Sequence, residues 1–157
     1  EANGGFLTET PIEKDGRSLS PLPTRDAVIV HLAVIMLSVE RGCTIKELLD
    51  GLPQRFTYSD RLKQFPTEKS KAKIEELYQG EPERDRKAIQ DALGGQFGRI
   101  DHIDATDGVR ITFDNDEVVH LRPSGNAPEF RCYTEAESPE RARALNQSCI
   151  RIMESWR

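Results

Sequence analysis

Cysteine is scarce. The 157 residues hold three, Cys43, Cys132 and Cys149, far apart and without a C-x-x-C. A structural zinc site is therefore not expected, and a reducing, cytosolic compartment is. Long apolar runs are lacking as well. The longest, Ala27 to Leu37, covers eleven residues and contains His31, whereas a membrane-spanning helix needs about 20. No basic segment followed by an apolar one opens the chain, so no signal peptide is expected. Nor is there an excess of basic charge: 22 Lys and Arg stand against 27 Asp and Glu, a formal net charge of −5. That balance argues against a protein that coats duplex nucleic acid. A methionine at position 1 is missing too. The chain opens Glu1-Ala2-Asn3-Gly4-Gly5, which reads as mid-loop, so these residues are expected to be a piece of a larger protein.

What is present is enough for folded structure. Charged residues make up 31% and hydrophobic ones 36%, and the apolar residues are clustered, unlike a disordered composition. The length suits one domain, or one domain plus part of another. Residues 1–23 read as loop, with an edge strand at Gly5-Phe6-Leu7-Thr8 and breaks at Pro11, Gly16, Pro21 and Pro23. Thr24 is the expected N-cap of a helix through Val39 that ends at Gly42. It is apolar on nearly all faces and is expected to be buried, with His31 as a hydrogen-bonded core histidine. Thr44-x-x-Glu47 is a capping-box pattern opening a short helix that closes at Gly51-Leu52-Pro53.

The domain boundary is expected near residues 54–55. Beyond it, Arg55 to Phe65 reads as extended. A helix capped by Thr67 and running to Tyr78 is expected, and another from Glu83 to Leu93, stopped by Gly94-Gly95. The period then changes to two. Val109, Ile111 and Phe113 alternate with Arg110 and Thr112; Val119 and Leu121 alternate with Val118, His120 and Arg122; Phe130, Cys132 and Thr134 alternate with Arg131, Tyr133 and Glu135. This predicts an antiparallel three-strand meander. Asp114-x-Asp116-Glu117 is expected to be a solvated turn. Ser138-Pro139 caps a last helix whose stripe Ala142, Leu145, Cys149, Ile152 and Trp156 is expected to pack on the sheet.

The segment richest in chemistry is Arg122-Pro123-Ser124-Gly125-Asn126-Ala127-Pro128-Glu129-Phe130-Arg131. Two arginines end consecutive strands and the loop joins those strands. Such a loop can aim both guanidinium groups, the Ser124 hydroxyl and the N–H groups of Gly125 and Asn126 at one point, the donor set a phosphate needs. Gly125 permits close backbone approach or a positive φ. On the residues alone, a polar hairpin loop with solvated arginines fits equally.

Asp107-Gly108-Val109-Arg110, then Arg122-Pro123-Ser124-Gly125-Asn126-Ala127-Pro128, then Arg131 resemble the C-terminal domain of the α-D-phosphohexomutases, whose usual pattern is D-G-hydrophobic-R, R-P-S-G-T-E-P and a following Arg. The opening Glu1-Ala2-Asn3-Gly4-Gly5 is similar to that family's G-E-x-S-G-H sugar loop, and Leu22-Pro23-Thr24-Arg25-Asp26-Ala27 resembles the helix start after it. Asn126-Ala127 replaces the usual Thr-Glu, Asn3 the usual Ser and Gly5 the usual His. The resemblance implies an α/β fragment, residues 1–54, from the end of the third domain. Residues 55–157 would be the fourth domain, an α+β unit with an antiparallel sheet, helices on one face and TATA-binding-protein-like topology.

The same resemblance implies phosphate binding by Arg122, Ser124, Gly125, Asn126 and Arg131, and sugar hydroxyl contacts from Glu1 and Asn3. The family's phosphoserine loop (T-A-S-H-N-like) and Mg²⁺ loop (D-G-D-x-D-R) do not occur in this sequence. The implied parent is a cytoplasmic phosphomannomutase/phosphoglucomutase. It would use Mg²⁺ and a glucose or mannose bisphosphate activator and intermediate, and act on phosphosugars together with its own N-terminal domains. Neither nucleic acid nor membrane is an implied partner, and no catalytic or metal-ligating residue is expected within this chain. The rival expectations are a stand-alone anion-binding module using the same arginines and an interaction domain using the Trp156 helix.

Overall fold

The computed structural model describes residues 5–157 and divides the chain into two compact units that meet at Pro53 and Gln54. Glu1 and Asn3 lie outside the described residues.

The first unit holds more strand than its prolines suggest. β1 (Phe6–Thr8) pairs antiparallel with β4 (Leu22–Asp26), and between them β2 (Ile12–Lys14) and β3 (Arg17–Leu19) form a hairpin. Asp15 and Gly16 both adopt positive φ at its tip, the backbone that matches a two-residue hairpin turn to strand twist. Helix α1 runs Val28–Arg41 and ends at Gly42 in the left-handed conformation. Its start differs from the expectation. Thr24 lies in β4, and the helix N-terminus is held by Asp26, whose Oδ1 accepts from Val28 N–H at 2.8 Å.

The expected burial of this helix is also corrected. No α1 residue is buried; His31 is exposed, as are Leu32, Ile35, Met36 and Val39. Within the unit, two small sheets and helix α2 (Ile45–Asp50) supply no apolar layer broad enough to cover it. The Thr44 capping box is formed as expected.

The second unit carries the core. β5 (Phe56–Lys63), β6 (Ile100–Asp104), β7 (Val109–Phe113), β8 (Val118–Pro123) and β9 (Glu129–Ala136) form one antiparallel sheet of five strands in the order β5-β9-β8-β7-β6. Helices α3 (Thr67–Leu77), α4 (Pro82–Leu93) and α5 (Pro139–Glu154) pack on one side of it. The meander is therefore extended by a strand at each edge. Alternation works as read: Val109, Ile111, Phe113, Val119, Leu121, Phe130 and Cys132 are buried beneath the helices. Arg110, His120, Arg122, Arg131 and Tyr133 fall on the opposite, partly exposed face.

Smaller corrections follow from packing. α3 begins one residue early, at Thr67 itself, after Pro66. On α5 the buried stripe is Ala142, Leu145, Asn146, Cys149 and Met153, with Ile152 and Trp156 only half-buried. Asn146 enters the core because its Nδ2 donates to Cys132 O at 3.0 Å. Trp156 packs within the unit, near Phe130 and with Lys73 Nζ 4.8 Å from its ring centroid. The Asp114–Asp116 turn is exposed, but Glu117 is buried and ion-paired with Arg141 of α5. Among the described residues, no helix is long and apolar enough to cross a membrane.

Candidate functional site

The two arginines that flank the proline- and glycine-containing loop are brought directly together. Arg122 on β8 is the register partner of Arg131 on β9, so the side chains leave the sheet side by side on the face away from the helices. Like charges directly opposite on a sheet repel. The register adds a third: Arg131 is also opposite Arg61 of β5. Three guanidinium groups thus stand abreast across three strands, and sequence reading missed Arg61. Its position depends on the pairing of β5 with β9, segments far apart in the chain.

Acidic groups offset this charge without using up the donors. Glu129 Oε1 lies 3.2 Å from Arg61 Nε, and Glu129 Oε2 lies 3.7 Å from Arg131 Nη2. Asp107 Oδ2 lies 2.7 Å from Arg122 Nε, but off the line of the N–H. The Nε atoms of Arg122 and Arg131 are therefore both buried without an aligned acceptor. The Asp107 carboxylate first, and the Tyr133 hydroxyl against the opposing effect of burial, favour charged Arg122 beyond the ordinary guanidinium.

Ser124 joins the loop to this pair. Its side chain is buried and its Oγ accepts from Arg131 Nη2 at 3.2 Å while donating to Asn126 Oδ1 at 3.1 Å. Its N–H donates to Glu129 O at 3.0 Å, closing the loop across its base. Gly125 does not take the positive φ that was one of its two expected uses. A Cβ there would meet open space, and both Gly125 and Asn126 are exposed. Among the described residues, the N–H groups of Gly125 and Asn126 have no hydrogen-bond acceptor. A cleft of about 720 Å³ adjoins Arg131 along β5, lined also by Ser59, Arg61, Lys63, Tyr133 and Arg157.

His120 lies on the same strand face as Arg122. Its Nε2 is 2.6 Å from the carbonyl of Asp107, and its ring is 5.5 Å from that of Tyr133. His120 therefore braces the neighbouring turn. His102 is exposed on the β6 edge, and Cys132 and Cys149 are buried in the core. Contact with Cys149, and burial after it, push the Cys132 thiol well up, which keeps it protonated and unreactive.

What this arrangement offers chemically is a cluster of fixed cationic donors beside free backbone N–H groups, with no nucleophile activated nearby. That is the equipment for holding an anion of tetrahedral oxygen geometry. Comparison with known proteins agrees with the fold. Residues 66–151 match the family described as phosphoglucomutase/phosphomannomutase, C-terminal domain. A phosphomannomutase of Salmonella muenchen is 43% identical over 142 residues, covering 90% of this chain and 28% of the relative. One from Sinorhizobium fredii is 34% identical over 155 residues, covering 99% of this chain and 31% of the relative. A phosphoglucomutase/phosphomannomutase of Thermococcus kodakarensis is 30% identical over 131 residues, 83% of this chain and 25% of its own length. The chain thus spans less than a third of these curated relatives. By the family match across the greater part of its length, this chain belongs to the phosphoglucomutase/phosphomannomutase family, and it carries that family's C-terminal domain.

Proposed function

We propose that this chain is the substrate-positioning part of a phosphomannomutase/phosphoglucomutase, and that the Arg122–Arg131 loop holds a phosphate of the hexose phosphate. The observation that carries the reading is the pair of buried, unaligned Nε–H donors on adjacent strands. Buried donors are almost always satisfied, and a doubly charged phosphate supplies enough acceptors for both at once. Arg122 and Arg131 would provide the charge-assisted bonds. The exposed N–H groups of Gly125 and Asn126 would complete the cradle, while Ser124 fixes Arg131 relative to Asn126. Glu1 and Asn3 would read sugar hydroxyls, in a remnant of the third domain formed by residues 1–54.

In this reading the held phosphate is the one not being transferred. Hexose 1-phosphate and 6-phosphate interconvert through a bisphosphorylated sugar, which must present each phosphate in turn to a phosphoserine carried elsewhere in the protein. A non-covalent clamp suits that exchange, because either phosphate must be gripped and released. Phosphoryl transfer depends on positioning and charge neutralisation, and this chain supplies the positioning. Among the described residues, no three His, Cys, Asp or Glu side chains gather as a metal site. In this reading Mg²⁺ serves the phosphoserine elsewhere in the protein, and the chain's own residues are not proposed to hold it.

The chain by itself is then expected to bind hexose phosphate weakly in the cytoplasm and to turn nothing over. Calorimetric titration with mannose 6-phosphate, glucose 6-phosphate and the free hexoses tests it. Saturable binding of the phosphates but not of the free sugars is expected. Equal binding of phosphorylated and free sugars, or mutase turnover by the purified 157-residue chain, would contradict it.

A further inference from the structure

The turn between β6 and β7 reaches the arginine pair from the side. Val109 pairs with Leu121, so one step back along the register places Gly108 beside Arg122, and Asp107 beyond it. Gly108 has φ of +87°, and a Cβ on it would collide with the Leu121 carbonyl oxygen and lie 3.1 Å from Arg122 Cα. Only glycine lets the turn come this close. Two further contacts fix it. His120 Nε2 donates to the Asp107 carbonyl oxygen at 2.6 Å, and the Asp107 carboxylate sits 2.7 Å from Arg122 Nε.

From this geometry we infer that Asp107 is a positioning residue for the anion site: it holds the Arg122 guanidinium in place for a phosphate without occupying its Nε–H donor. The inference rests on the proposed role of Arg122 and adds a residue to it. An aspartate is a costly neighbour for a phosphate, since the two repel. If Asp107 were only a counter-ion competing with the ligand, its removal would tighten binding. If it positions Arg122, its removal releases a long side chain to sample many rotamers, and binding weakens through the lost preorganisation. The sign of the effect separates the two. The close approach at Gly108 and the His120 bond show that the turn is anchored independently of the carboxylate, so Asp107→Ala removes the ion pair and leaves the turn in place. Asp107 is largely exposed, at 62% for its side chain, so the substitution does not open the core.

The test uses the full chain, nitrogen-labelled, with the arginine Nε–Hε resonances assigned and glucose 6-phosphate and inorganic phosphate as probes. In the unsubstituted protein the Arg122 resonance is expected to stand apart from the mobile arginines and to move on adding either probe. In Asp107→Ala it is expected to collapse into the mobile set, and affinity to fall about five- to tenfold, the equivalent of one ordinary hydrogen bond. Asp107→Asn, which keeps the shape, is expected to fall between the two. Unchanged or tighter binding in Asp107→Ala, or an Arg122 resonance that stays put, overturns the inference. If the unsubstituted chain binds neither probe, the phosphate reading fails on its own, and the resonance still decides whether Asp107 holds Arg122.

Discussion

Arg122 and Arg131 face each other across β8 and β9 as a cross-strand pair, each with a buried Nε that has no aligned acceptor. Two guanidinium groups directly opposite on a sheet repel, and Glu129 and Asp107 offset that repulsion in the free protein. The arrangement makes physical sense if a ligand of higher negative charge completes it.

Removing either arginine is therefore expected to weaken hexose phosphate binding by about 1.5–3 kcal/mol, the range for hydrogen bonds to charged groups. Arg122→Ala and Arg131→Ala share one ligand, so the double substitution is expected to cost less than the sum. Stability is expected to fall slightly in each single variant, because Asp107 loses its ion-pair partner in one, and Glu129 an ion-pair partner and Ser124 a hydrogen-bond donor in the other. Calorimetric titration paired with thermal unfolding reads both quantities. Strict additivity would place the two residues on different ligands.

Gly108 is expected to be the least replaceable residue of the turn. Gly108→Ala combines a strained positive φ with a collision against the Leu121 carbonyl, and a loss of about 1–3 kcal/mol is expected from backbone strain of this kind. Gly125→Ala, where a Cβ meets open space and φ is not positive, is expected to leave stability nearly unchanged. Urea unfolding of the two variants makes the comparison. A Gly125→Ala protein less stable than Gly108→Ala would contradict the turn geometry.

Glu117 makes stability pH-dependent. Its hydrogen bonds to Arg141 lower its pKa, against the opposing effect of burial; Arg141 Nη2 donates to Glu117 Oε2 at 2.7 Å. A carboxylate with a depressed folded-state pKa stabilises the fold fully above its unfolded value, near about 4.3. That contribution is lost as pH falls through the lower folded value. Glu117→Gln is expected to be less stable by about 1.5–3 kcal/mol at neutral pH, and its deficit is expected to shrink as pH drops below the ordinary glutamate range. A deficit that stays constant with pH would remove the ion pair from the explanation.

Local pattern revealed β7, β8, β9 and the loop that joins the two arginines, because strict alternation and a Pro/Gly connector are written in consecutive residues. Arg61 and the placement of Asp107 beside Arg122 were not legible as site geometry. Both depend on register, and β5 meets β9 only after some seventy intervening residues. Glu117 reads as part of a solvated turn because its partner, Arg141, lies two strands further along the chain, at the start of α5. The apolar run of α1 was read as buried, although periodicity reports composition and not cover: Val39 is 72% exposed and Met36 65%. The Asp26 cap was missed because Thr24 offers the same chemistry two residues earlier.

The most direct test of the account is a titration of the nitrogen-labelled chain with glucose 6-phosphate, followed through backbone amide and arginine Nε–Hε shifts. The expected footprint centres on residues 122–131, with the amides of Gly125 and Asn126 and the Nε–Hε groups of Arg122 and Arg131 moving together along one saturation curve. A footprint centred elsewhere, or shifts at those arginines that free glucose reproduces equally well, would contradict the assignment of this loop as the phosphate clamp.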